Sequence, residues 1–200
     1  MISTVASRSR RTASARRAYC LHVGLHLDGA RLFLQAAYTG ESVADFARLF
    51  DTVYVSLYKY LNAASGAILA GPRELLDGMY HGRRMFRRRT ESGLAVRAVA
   101  RHCHDGFRDR YGRAVRTSEE WTRALGRHGA FTIDRVPAGT NLFRLRVSGT
   151  DPASFQRRLA SARVMLAPPQ NGAFLIGVNE TLNRTSAADL TATFVRALVG

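Results

Sequence analysis

Residues 21–57 constrain the fold more than any other part of this 200-residue chain. Leu21, Val23, Leu25 and Leu27 alternate with His22, Gly24 and His26, the period of two expected of a half-buried strand. Asp28-Gly29 closes that run. Ser42 is placed to cap a short helix carrying Val43, Phe46, Ala47, Leu49 and Phe50. Thr52 to Leu57 is strand-like again. Strand, helix and strand at this spacing predict a βαβ unit and a parallel sheet, because parallel neighbours need a crossover long enough to hold a helix.

Downstream, the apolar run Ala67–Ala70 ends at Gly71-Pro72. A helix is expected from there through Leu75, Leu76 and Met79 toward Phe86. A basic interruption follows, then a long helix from about Leu94 to Tyr111. The rhythm changes after that. Ser118–Arg127 is helical in pattern, with Trp121 and Leu125 on one face. Phe131–Val136 and Asn141–Val147 are expected strands, joined by a Pro137-Ala138-Gly139 turn. Asp151-Pro152 opens a helix through Phe155 and Leu159. Arg163–Leu166 and Phe174–Val178 are expected strands, and Ser186 caps a last helix with Leu190, Phe194 and Leu198 on one face. The expected organisation is a basic disordered tail at 1–18, an α/β part at 19–110 and a small α+β domain at 111–200.

Composition narrows the partners. The chain carries 30 basic against 15 acidic residues, a formal charge of +15, which suits an anionic surface or nucleic acid. Yet Lys59 is the sole lysine and arginine supplies all the rest. Arginine-favouring codon bias accounts for that better than a nucleic-acid face, so nucleic acid is the less favoured partner. No apolar run reaches bilayer length, which predicts no membrane span. Cys20 and Cys103 stand far apart without zinc spacing, so reduced thiols and a cytoplasmic location are expected, with no metal.

Two residues carry chemistry. Asp28 sits just past one strand and Lys59 just past the next. Ligands of open α/β sheets bind beyond the carboxyl ends of strands. If these strands are neighbours, their ends lie about 5 Å apart, and an aromatic ligand fits between an acid and an amine. On its own this is weak, because an Asp after a strand is usually a turn residue.

The surrounding strings are more specific. His26-Leu27-Asp28-Gly29-Ala30-Arg31-Leu32-Phe33 resembles the segment of the threonine aldolase and β-eliminating lyase family that binds a cofactor's pyridine nitrogen. Ser56-Leu57-Tyr58-Lys59-Tyr60, followed by Ala64-Ser65-Gly66-Ala67, resembles the family's cofactor-lysine segment. Asn179-Glu180-Thr181 resembles the end of its low-specificity branch. The likeness runs from about Ala18 to Leu198 with one gap.

The resemblance implies the C-terminal part of a fold-type I large domain, followed by a small α+β domain. It implies pyridoxal 5'-phosphate as cofactor and an amino-acid lyase that cleaves β-hydroxy-α-amino acids such as threonine, giving glycine and acetaldehyde. It also implies a homo-oligomer for a complete chain. Lys59 would hold the cofactor covalently, in a buried setting that favours the neutral amine. Asp28 would pair with the protonated ring nitrogen. Arg31 would contact the cofactor or the substrate carboxylate, and Ser56 belongs to the same cofactor-binding set. His26 is expected to be structural. Tyr58 and Tyr60 are equally suited to pocket contact and to packing.

The chain departs from the family's pattern in three places. The family's glycine-containing phosphate loop and its ring-stacking histidine precede the aspartate motif by a long stretch, and neither occurs in residues 1–25. Residues 87–98 replace a glycine run with arginines, a change that a one-base shift of frame would produce. Phe174–Val178 lacks the arginine that some threonine aldolases use for the substrate carboxylate. These departures keep a second expectation open, a catalytically inactive remnant of the family.

Overall fold

The computed structural model describes residues 23–79, 81–82, 93–135 and 141–199. The 1–18 tail, Cys20, His22, the arginines between 83 and 89, and the Pro137–Gly139 turn lie outside the described residues. The described chain forms two compact units, one within residues 6–108 and one within 109–200.

The first unit carries β1 (His26–Asp28), α1 (Leu32–Thr39), α2 (Val43–Ala47), β2 (Thr52–Ser56), β3 (Ala67–Ala70), α3 (Arg73–Leu76) and α4 (Gly93–His104). Its sheet has the order β1-β2-β3. β1 and β2 run parallel, with His26 opposite Thr52 and Asp28 opposite Tyr54. β3 returns antiparallel, with Ser56 opposite Ala67. The expected parallel sheet therefore holds for the first pair only. Residues 57–66 are too few to carry a crossover, so the chain folds straight back.

α2 starts where its cap predicts. The Ser42 side chain accepts the Asp45 N–H at 3.1 Å, and Asp45 answers to the Ser42 N–H at 3.1 Å, the reciprocal bonding that satisfies two end donors. α1 is a helix the sequence reading missed. It buries Leu32, Leu34, Gln35 and Ala36, begins at Arg31 with no side-chain cap, and ends at Gly40 with φ 73°. Without a capping residue, and with apolar residues on nearly every side, its period was hidden.

In the second unit, β4 (Phe131–Arg135), β5 (Leu142–Val147) and β6 (Ala173–Gly177) form an antiparallel sheet in that order. The end of α5 (Phe107–Gly126), α6 (Pro152–Ser161), a 3-10 turn (Glu180–Arg184) and α7 (Ala187–Arg196) complete it. The core is aromatic: Trp121, Phe143, Phe155, Phe174 and Phe194 are all buried. Trp121 packs edge-on to Phe194 at 4.9 Å, and Phe155 lies 5.8 Å from both Phe174 and Phe194.

Two sequence expectations are corrected here. The single helix from Leu94 to Tyr111 is broken at Asp105-Gly106, where Gly106 has φ 66°. α5 then restarts at Phe107 and absorbs the helix expected at 118–127. Arg163–Leu166 is not a strand. α6 ends in a left-handed reversal with Arg163 at φ 63°. The Arg163 and Val164 N–H groups go to the Ala160 and Leu159 carbonyls, both at 2.9 Å. This is the bonding of a glycine-type helix stop, with arginine in glycine's usual place. Those two N–H groups are thereby withdrawn from any sheet ladder.

Some of the arginine excess is paired. Arg110 meets Glu180 at 2.7 Å, and Arg135 and Arg146 meet Glu119 and Asp134. Exposed pairs of this kind contribute about 0–1 kcal/mol each.

Candidate cofactor edge of the first unit

Period two in β1 and β2 puts His26 and Asp28 on the same face as Thr52, Tyr54 and Ser56, since opposed residues share a face. His26 spends its Nδ1 on the Thr52 hydroxyl at 2.8 Å, which fits its expected structural role. Asp28 ends β1, and its Oδ1 accepts the Ala30 N–H at 3.1 Å. The chain can turn so tightly there because residue 29 is glycine. A Cβ at Gly29 would lie 2.6 Å from the Tyr54 carbonyl oxygen.

Ser56 ends β2 and is fully buried. Its hydroxyl donates to the Ala30 carbonyl at 2.8 Å. That bond ties the loop after β1 to the loop after β2, so the segments bearing Asp28 and Lys59 leave one sheet edge together. Leu57 then donates to the Gly66 carbonyl at 3.0 Å, and Leu61 to the Leu57 carbonyl at 3.2 Å, closing a turn with Lys59 on its outside. Lys59 Nζ lies 5.9 Å from the centre of the Tyr58 ring.

Asp28, Arg31 and Lys59 are all exposed. The buried setting expected for Lys59 is not found, because no described residue closes over the turn that carries it. Ser56 is brought to the edge, but its proton is committed to the main chain.

The sequence reading passed over Tyr54. It faces the same side as Asp28, two residues before Ser56, so strand parity alone would have found it. Partial burial raises its phenol pKa above the ordinary value, and the neighbouring Tyr58 hydroxyl and the Asp28 carboxylate add to the rise. Tyr54 therefore belongs to the polar surroundings of Asp28, with the Tyr58 hydroxyl beside Tyr54.

Tyr60 belongs to packing. Its ring lies 5.7 Å from Phe33 and 5.5 Å from Phe107. Its hydroxyl is buried with no hydrogen-bond partner among the described residues. Burial drives its pKa far up; the Phe33 main chain counters this in part without reaching bonding geometry. An enclosed, unpaired hydroxyl costs about 1–3 kcal/mol. Tyr60→Phe is therefore expected to leave stability unchanged or raise it by about 1 kcal/mol in urea unfolding. A loss above that size would show that the hydroxyl is bonded.

The α/β unit and the α+β unit that follows it in the chain have the fold of type I pyridoxal-phosphate enzymes. Solved structures agree. A Listeria monocytogenes protein described as an L-allo-threonine aldolase superposes with a TM-score of 0.78 at 18% identity, covering 97% of this chain and 56% of its own. Leishmania major threonine aldolase superposes at 0.66 with 15% identity, covering 98% and 57%. At such identities the likeness shows the fold alone.

The chain belongs to the beta-eliminating lyase family, whose model matches residues 8–148; the family's enzymes depend on pyridoxal phosphate. The low-specificity L-threonine aldolase of Eremothecium gossypii is 26% identical over 132 residues, 62% of this chain and 33% of that protein. The chain thus spans about a third of this curated relative and somewhat over half of the solved structures. Among the described residues no helix is long and apolar enough to cross a membrane, and no group of His, Cys, Asp and Glu suits a metal ion.

Proposed function

We propose that this chain carries the lysine-bearing edge of a pyridoxal-phosphate-dependent amino-acid lyase, and that the reaction is retro-aldol cleavage of a β-hydroxy-α-amino acid. The supporting observation is the tie between Ser56 and Ala30, which holds the Asp28 and Lys59 loops at one edge of the β1/β2 pair. When bound, the cofactor would act as an electron sink for charge developing at the substrate's α-carbon.

The chain's own residues have distinct tasks in this reading. Lys59 would be the amine that holds the cofactor. Asp28, already oriented by the Ala30 N–H, would hold the proton on its ring nitrogen. Ser56 ties the two loops together through the Ala30 carbonyl. Arg31, exposed at the start of α1, offers a planar fork to a phosphate or carboxylate. The substrate is a small amino acid, and family resemblance favours a homo-oligomeric assembly.

Exposure of all three charged residues favours a second reading, a chain that binds the cofactor without turnover. One experiment separates the two. The protein is equilibrated with pyridoxal phosphate, reduced with borohydride and mapped by mass spectrometry, while acetaldehyde release from threonine is followed before reduction. A covalent label on Lys59 together with aldehyde release supports the lyase. A label without release supports the second reading. No label on Lys59 at cofactor saturation rejects both.

A further inference from the structure

The unit within residues 109–200 contains a cleft of about 540 Å³ that the proposed lyase role does not use. Its wall includes Leu175 on β6 and Leu190 and Phe194 on α7, with Arg163 and Arg184 among its polar members. A volume of this size lies in the ordinary range for small-molecule sites. No Asp or Glu lines it. No carboxylate among the described residues lies within ion-pair reach of either arginine. The charge of the cleft is therefore purely positive.

Trp121 forms part of the wall and is 2% exposed, so its ring lies beside the cleft without opening onto solvent. Arg163 is held at this place by the left-handed stop of α6, so its backbone is fixed before any ligand arrives.

We propose that this cleft binds a small organic carboxylate with an apolar body. The carboxylate would sit at Arg163 and Arg184, whose planar forks match its two oxygens. The hydrocarbon would lie on Leu190 and Phe194, where apolar burial is favourable. A free ammonium group on the same ligand would meet two arginines and no acid, which selects against an unmodified amino acid.

The chain's one tryptophan is the reporter. Hexanoate titrated into the full chain should change Trp121 emission saturably, whereas hexanol and hexylammonium at the same concentrations should not. In Arg163→Asn/Arg184→Gln the midpoint should rise about 10-fold or more, the loss expected of a charge-assisted hydrogen bond. Asparagine is chosen at 163 because it tolerates the left-handed backbone. If circular dichroism shows that the double variant has lost its fold, Arg184→Gln alone is read, since Arg184 is exposed at the end of the 3-10 turn. An equal response to hexanol, an absent response to hexanoate, or an undiminished response in the folded variant overturns the proposal.

Discussion

Replacing Asp28 by asparagine should weaken retention of pyridoxal phosphate on Lys59 by about 10- to 100-fold, the equivalent of the roughly 1.5–3 kcal/mol carried by a hydrogen bond to a charged group. Asparagine keeps the size of the side chain and can still accept the Ala30 N–H, which meets Oδ1 at 3.1 Å, so the β1 turn should persist. What it loses is the negative charge that holds a proton on the ring nitrogen. The control is a simple aldehyde with no pyridine ring. An exposed lysine reacts with any aldehyde, and that reaction should be equal in both proteins, because Lys59 itself is unchanged. The measurement is the cofactor concentration that gives half-maximal borohydride-trapped label on Lys59. Equal half-saturation for the parent and Asp28→Asn would show that Lys59 captures the cofactor as a lone surface amine. The proposed cofactor edge would then be wrong, even with a label present.

The strand ends near Asp28 and Lys59 were legible for a simple reason. Asp28 ends one strand-like run and Lys59 lies three residues past the other, and parallel pairing of His26–Asp28 with Thr52–Ser56 follows from the helical stretch between them. The caps were legible too, because short polar side chains before apolar runs bond locally. Asp151 and Ser186 accept the N–H of Ser154 and Asp189 at 2.9 and 3.0 Å. These features depend on residues a few positions apart, which a linear reading can weigh.

Other features depend on partners distant in the chain or on backbone conformation. The Ser56 hydroxyl meets the carbonyl of residue 30, 26 positions away; nothing near Ser56 announces it. Val164 has strand-like neighbours, yet its N–H is captured by the helix before it, and a left-handed arginine is not a pattern that composition reveals. Lys59 was expected in a buried setting because its proposed chemistry favours one. Its exposure instead follows because no described residue packs over Lys59 in the turn at 57–61, and the motif around a lysine carries no information about that. The Asn179-Glu180-Thr181 string has a local structural use: Asn179 accepts the Thr181 N–H at 2.9 Å, and Glu180 pairs with Arg110. These bonds anchor the 3-10 turn.

The second unit should depend most on a single ring. Phe155→Ala is expected to destabilise it by about 3–5 kcal/mol, the usual range for a buried phenylalanine. Phe155 has no exposed surface. It stands on α6 between the two outer strands, 6.2 Å from Phe131 on β4 and 5.8 Å from Phe174 on β6, and it touches Phe194 on α7 at 5.8 Å. Removing it leaves a void facing three elements, each held by its own ladder or helix and so poorly able to collapse inward. Domains have only about 5–15 kcal/mol of stability, so the loss is a large part of the whole. Trp121 packs on Phe194, which makes its emission a direct monitor. With a urea slope of about 1–3 kcal/mol per molar, the midpoint should fall by about 1 M or more. Phe155→Leu, which refills much of the space, should cost about 1–1.5 kcal/mol. Met165→Ala, at a residue 79% exposed, should stay within about 0.5 kcal/mol. If Phe155→Ala proved as mild as Met165→Ala, the aromatic stack could not be what holds the helices to the sheet. The buried aliphatic pair Leu145 and Leu159 would then have to carry that load.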